Sequence, residues 1–115
     1  MTQLAPTTTP RHLLIDVLPD LAAELRRLLT RADEEALADS IGLLAIVDRC
    51  RCGDDFCATF YTGARPAGPY GGSHRSIELD AQDGILVVDV ENDGIVCVEV
   101  LFRTAVRDRL HEVLG

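Results

Sequence analysis

ILVVDVENDGIVCVEVL, residues 85–101, is the stretch that decides the fold. Two apolar runs that alternate with period two flank Asn92-Asp93-Gly94, a cluster of turn-forming residues, so the segment reads as a β-hairpin. A turn of Asp93-Gly94 alone would put Val90 on one face with Cys97 and Asp89 with Val98. A three-residue loop Asn92-Asp93-Gly94, with Gly94 left-handed, pairs Val90 with Val96, Val88 with Val98 and Leu86 with Val100. The second register keeps the aliphatic residues on one face and sends Val87, Asp89, Cys97 and Glu99 to the other. A slip of one residue would bury carboxylates, so the three-residue loop is the expectation.

Working outward, Thr104 is placed to cap a helix whose Val106, Leu110, Val113 and Leu114 form one stripe of a 3.6-residue period. Upstream, Arg75–Leu79 reads as a short strand. Before it lies GARPAGPYGGSH (63–74), with four Gly and two Pro, a loop at the long end for a compact domain. LLAIVDRCRC and FCATFYT read as two strands joined across Gly53-Asp54-Asp55. Phe56 and Phe60 fall opposite Cys57 and Tyr61, and either set can face inward.

Pro19 opens a helix, because proline is tolerated in a first turn and excluded from an interior. Leu21, Leu25, Leu28 and Leu29 give it an apolar stripe. Asp33 is placed to cap a second helix with Leu37 and Ile41 on its inner face, ended by Gly42. Residues 1–11 read as a flexible tail and 12–115 as a single domain. The expected class is α+β, a two-layer sandwich: a mostly antiparallel sheet of about five strands, covered by N-terminal helices and one C-terminal helix.

GILVVDVENDGIVCVEVLFRT (84–104) resembles the closing hairpin of a family of small bacterial domains of unknown function. Asp93-Gly94 matches that family's acidic turn and Val98-Glu99-Val100-Leu101 its final strand, while Cys97 stands where the family carries glycine. CRCGDDFCATFYT (50–62) is similar to a segment of uncharacterised actinobacterial proteins. Neither resemblance implies an activity or a catalytic residue.

Composition excludes several classes. The chain has 115 residues, 47% of them hydrophobic and 26% charged, with a formal net charge of −8. That is neither a disordered composition nor a membrane-spanning one. Nucleic-acid binding needs cations that displace counterions, and every basic residue other than histidine is an Arg among 19 acids. The N-terminus lacks the basic and apolar regions of a secretory signal, so a cytoplasmic location is expected. Acidity concentrates after residue 75, where 3 Arg face 9 acids. An acidic surface steers basic partners. Together with the oversized loop, it points to a protein-interaction module, binding or immunity-like, or to self-association. In the loop version Tyr70, His74 and Arg75 form the recognition arm.

The alternative rests on cysteine. If Asp54-Asp55 is a two-residue turn, Cys52 pairs with Cys57, and Cys50 lies two residues back on the same face. Three thiols then gather, with His74 or Cys97 available as a fourth ligand, and zinc takes four such donors in a tetrahedron. The spacing C-x-C-x4-C also allows a Cys52–Cys57 disulfide or reduced thiols packed as small hydrophobes. A third reading, a thiol-dependent enzyme, pairs Cys57 with His74 and orients the pair with Asp48. Arg49 and Arg51 alternate with the cysteines and point to the opposite face. No serine sits in a nucleophile elbow, so the sequence leans away from an enzyme.

Overall fold

The computed structural model describes residues 12–63 and 73–115. The proposed tail and Tyr70 lie outside them. Four helices, α1 (Leu14–Val17), α2 (Pro19–Arg31), α3 (Glu35–Ser40) and α4 (Thr104–Leu114), accompany five strands. The strands are β1 (Asp48–Arg49), β2 (Phe60–Tyr61), β3 (Arg75–Leu79), β4 (Ile85–Glu91) and β5 (Gly94–Leu101). They form one sheet in the order β1-β2-β5-β4-β3, and every pairing is antiparallel. This is the α+β architecture expected from the alternation of helical and strand periodicity.

The closing hairpin departs from its expected turn in one informative way. Val88 pairs with Val98 and Leu86 with Val100 as the aliphatic pattern requires, but Val90 pairs with Ile95. The turn is two residues, Asn92 and Asp93, both left-handed at φ 51° and 64°, and Gly94 already belongs to the strand. A two-residue turn of this kind matches the right-handed twist of the flanking strands, and Asn and Asp tolerate left-handed backbone. The register change is absorbed by a bulge at Val96, between the Asp89–Cys97 and Val90–Ile95 pairs. Ile95 therefore replaces Val96 in the core, and Val96 is half-exposed. The bulge carbonyl accepts the N–H groups of Thr62 and Gly63 at 2.9 and 3.1 Å, which ties the end of β2 to β5.

The helix termini correct two expected caps. Asp33 follows α2 at φ 61°, with its N–H on the Thr30 carbonyl and the Glu34 N–H on that of Leu29. That is the paired closure of a helix C-terminus in which glycine usually takes the left-handed place, so Asp33 ends α2 rather than capping α3. Thr104 is the first residue of α4 and makes no side-chain cap; the capping position falls on Arg103. The Arg103 guanidinium binds both Glu24 oxygens at 2.6 and 2.8 Å and the Asp83 carbonyl, pinning α2 and the β3–β4 loop together. Residues 14–17 form a helical turn before Pro19, and α3 runs on into a 3-10 turn, Ile41–Leu43, through Gly42.

The helices cover one face of the sheet. Leu21, Leu25, Leu28 and Leu29 of α2 and Leu110 of α4 share one buried cluster with Phe60, Leu86, Val88, Val98 and Val100. Phe60 rather than Tyr61 faces inward. Among the described residues no helix is long and apolar enough to cross a membrane.

Gly84 turns the chain into β4 at φ 66°, and an added Cβ would run into the Leu101 carbonyl oxygen. Gly84→Ala is expected to destabilise the fold by about 1–3 kcal/mol, because the substitution meets both left-handed strain and a backbone clash. A urea midpoint indistinguishable from that of the unaltered protein would refute it.

Candidate metal centre and its groove

The helices leave the second sheet face uncovered by any described secondary-structure element, and its chemistry follows from register. Asp48 pairs with Tyr61, Tyr61 with Cys97, Cys97 with Asp89, and Asp89 with Ser76. These five residues form one row across the sheet, since side chains of paired residues share a face. One step along the strands, Thr59 lies beside Glu99. A further step brings Cys57 opposite Leu101. The outer face thus carries thiol, hydroxyl and carboxyl groups alongside Val87 and Leu101, with Asp89 buried and Glu99 half-buried among them.

The cysteines enter at one corner. The first hairpin keeps the register expected of an Asp54-Asp55 turn, with Asp48 on Tyr61 and Arg49 on Phe60, but its tip turns at Asp55-Phe56, closed by the Cys57 N–H on the Asp54 carbonyl at 3.2 Å. Its ladder is much shorter than the sequence alternation suggests, and the Cys50 N–H on the Thr59 carbonyl at 2.8 Å is its last bond toward the tip. On its other side this segment meets β5, where the Thr59 hydroxyl accepts the Val100 N–H at 3.1 Å. Beyond that point Gly53 turns at φ 84°. The three sulfurs of Cys50, Cys52 and Cys57 lie within 4.8 Å of one another, close enough to bind one metal ion. All four cysteines are free thiols.

Hydrogen bonding differentiates the three. Burial opposes ionisation of Cys57, but the amide and hydroxyl of Thr59 and the thiols of Cys52 and Cys50 outweigh it and bring its pKa down. The Asp54 amide favours the Cys52 thiolate, yet the Cys57 and Cys50 sulfurs hold Cys52 as a thiol, with its pKa pushed up to about 11. The hydrogen bonds among the three thiols thus favour ionisation at Cys57 over Cys52. A divalent cation held by the three sulfurs would replace those S–H protons, since thiolates are the ligating form.

The remaining sequence-based candidates are placed elsewhere. His74 Nε2 lies 3.2 Å from Asp89 Oδ1, and His74 is not part of the sulfur cluster. Asp48 accepts from Arg51 and from the Arg49 amide, while the carboxylate that meets His74 is that of Asp89. Arg75 makes a two-pronged ion pair with Glu34, joining β3 to the start of α3. Arg49 and Arg51 turn away from the thiols and donate to the Gly115 carbonyl at the end of α4. Cys97 is buried beside Asp89, where desolvation and the negative charges of Asp89 and Glu99 push its pKa up and keep it a thiol.

Two carboxyls complete the face. Asp89 is only 4% exposed, since β4 is an interior strand and Ser76 and His74 of the β3 segment close over it. Ser76 donates to Asp89 Oδ1 at 2.6 Å. Burial works against the Asp89 charge, but hydrogen bonds from Glu99, Ser76 and His74 overcome it and lower the pKa. Glu99 is the proton-holding partner: its hydrogen bond to Asp89, its burial and the Asp89 charge raise its pKa to about 7. Sequence alternation puts Asp89 and Glu99 on the same face. Their burial depends on the order β5-β4-β3, which alternation alone does not encode. The whole array lines an open groove of about 510 Å³, from Cys50 and Cys57 at one end to Asp89, His74 and Ser76 at the other.

The pair gives stability a pH dependence with a definite sign. Glu99 titrates near the ordinary 4.5 when unfolded and near 7 when folded. Its contribution is therefore fully present below 4.5 and is lost as pH rises through 7. Asp89, lowered, contributes above its unfolded value of 3.8 and loses that contribution only in stronger acid. Thermal midpoints are expected to fall between about pH 5 and 8. Glu99→Gln, whose amide still donates to Asp89, should flatten that slope. An equal slope in the variant would show that the pair does not share a proton.

No protein-family model, curated protein or solved structure matches the chain.

Proposed function

We propose that this protein is a small metal-binding domain in which Cys50, Cys52 and Cys57 hold a thiophilic divalent cation, zinc before others. The mutual approach of the three sulfurs within 4.8 Å carries the reading. Zinc–thiolate bonds of about 2.3 Å in a tetrahedron set neighbouring sulfurs roughly 3.8 Å apart, so modest side-chain rotation suffices. Elemental analysis of protein purified without chelator is expected to find close to one zinc per chain. Absence of zinc, with all four thiols reduced and the metal supplied, overturns the proposal.

A second reading, the protein-interaction module, is favoured by one surface feature. Phe56 and Phe102 stack with ring centroids 5.5 Å apart while 46% and 59% exposed. Exposed aromatic pairs anchor interfaces, and a second copy of the chain is the occupant to test. Phe56→Ser with Phe102→Asn should reduce self-association in sedimentation velocity. Asn suits the left-handed backbone at Phe102, φ 64°. A wild-type chain that stays monomeric at high concentration rejects this reading.

A further inference from the structure

Three thiolates occupy three corners of a tetrahedron, and the described Cys, His, Asp and Glu side chains put no fourth donor within 4.8 Å of all three sulfurs. The residues outside the described set, 1–11 and 64–72, contain none of these four residue types. Structural zinc sites are closed by four protein ligands, whereas sites that act on ligands keep one position for an exchangeable donor. Cys50 and Cys57 line the groove, which gives that position an outlet. At the other end of the groove lies the Asp89–Glu99 pair, with His74 and Ser76 beside it, and among the described residues no Arg or Lys lines the groove.

Charge selects what can bind there. Three thiolates on a divalent cation leave a net charge of −1, and ionised Asp89 adds to it, so anionic ligands are repelled. A cation without a lone pair has nothing to give the metal. A neutral nitrogen base meets both demands, because its lone pair goes to the metal while its N–H finds acceptors on the carboxyl pair. We propose that the groove is a binding site for a small azole or amine that fills the fourth position of the metal held by Cys50, Cys52 and Cys57 and donates its N–H to the Asp89–Glu99 pair. This rests on the metal-binding reading above.

Cobalt(II) loaded into the full-length protein reports its coordination number and ligands through its visible spectrum. Two probes separate the two halves of the proposal: imidazole, and 1-methylimidazole, which lacks the N–H. Both are expected to shift the cobalt bands, imidazole with about tenfold higher affinity, the worth of one hydrogen bond to a charged acceptor. In the variant carrying Asp89→Asn and Glu99→Gln, checked for native circular dichroism and unchanged cobalt stoichiometry, that preference should largely vanish. Azide should bind more weakly than imidazole in the unaltered protein. Failure to take up cobalt would defeat the metal-binding reading itself. Stoichiometric cobalt whose spectrum ignores imidazole, or equal affinity for the two azoles, would overturn the groove proposal while leaving that reading standing.

Discussion

Replacement of Cys57 by serine is expected to weaken zinc binding by more than about 100-fold, since loss of a mere orienting partner of a metal ligand already costs roughly 10–100-fold. Cys57 is the member of the trio whose thiolate is best supported, by the Thr59 amide and hydroxyl and by the other two sulfurs. A serine hydroxyl keeps the size of the side chain but does not ionise near neutral pH, so one corner of the site is lost. The effect should also be visible in stability. A ligand that binds only the folded chain stabilises it by about 2.7 kcal/mol at 100 times its Kd. For a domain near this size, that is a thermal shift of about 10 °C or more. The unaltered protein should show the shift on adding zinc and lose it on chelation. Cys57→Ser should show almost none, and Cys97→Ser should retain full stoichiometry, because Cys97 lies outside the sulfur cluster. Equal zinc content in the Cys57 and Cys97 variants would refute the assignment.

The same cysteines show what a sequence encodes and what it leaves to tertiary structure. The spacing of Cys50, Cys52 and Cys57 about a turn anticipates the gathering of three thiols, although none of them lies in a regular strand. The turn that forms is closed by the Cys57 N–H on the Asp54 carbonyl, with Asp55-Phe56 rather than Asp54-Asp55 at its centre. The identity of a fourth neighbour is not a local property. His74 is near in sequence and polar, yet the pairing of β3 with β4 delivers it to Asp89 instead. The carboxyl pair follows the same logic. Asp89 and Glu99 look like the wet side of a hairpin until the strand order puts both in the interior of a five-stranded sheet. Helix stripes and aliphatic strand faces are legible because burial selects them residue by residue. Caps were less so: Asp33 is as good a C-terminal residue in left-handed backbone as it is an N-cap, and composition does not decide between the two.

Phe60→Ala is expected to cost about 3–5 kcal/mol of folding stability, the range for truncating a fully buried aromatic side chain. Phe60 is 0% exposed and pairs with Val98 across from Arg49, in the middle of the helix-covered face. The prediction gains its force from Phe56, the same residue type four positions earlier and of the same strand parity. Phe56 should face inward by alternation alone. It lies beyond the last regular bond of the hairpin, where its carbonyl accepts the Phe102 N–H and its ring stacks on Phe102 in the open. Phe56→Ala forfeits at most that stacking, about 0.5–1.5 kcal/mol. Small domains are stable by only about 5–15 kcal/mol, so the Phe60 variant should lose roughly a fifth or more of its margin while the Phe56 variant stays close to the unaltered protein. Urea unfolding of both, with equal slopes confirming a two-state comparison, measures the contrast. A larger loss at Phe56 than at Phe60 would mean that the first hairpin presents its other face to the helices. In that case Cys57 and Tyr61 would be core residues, and the groove with its thiol corner would not exist.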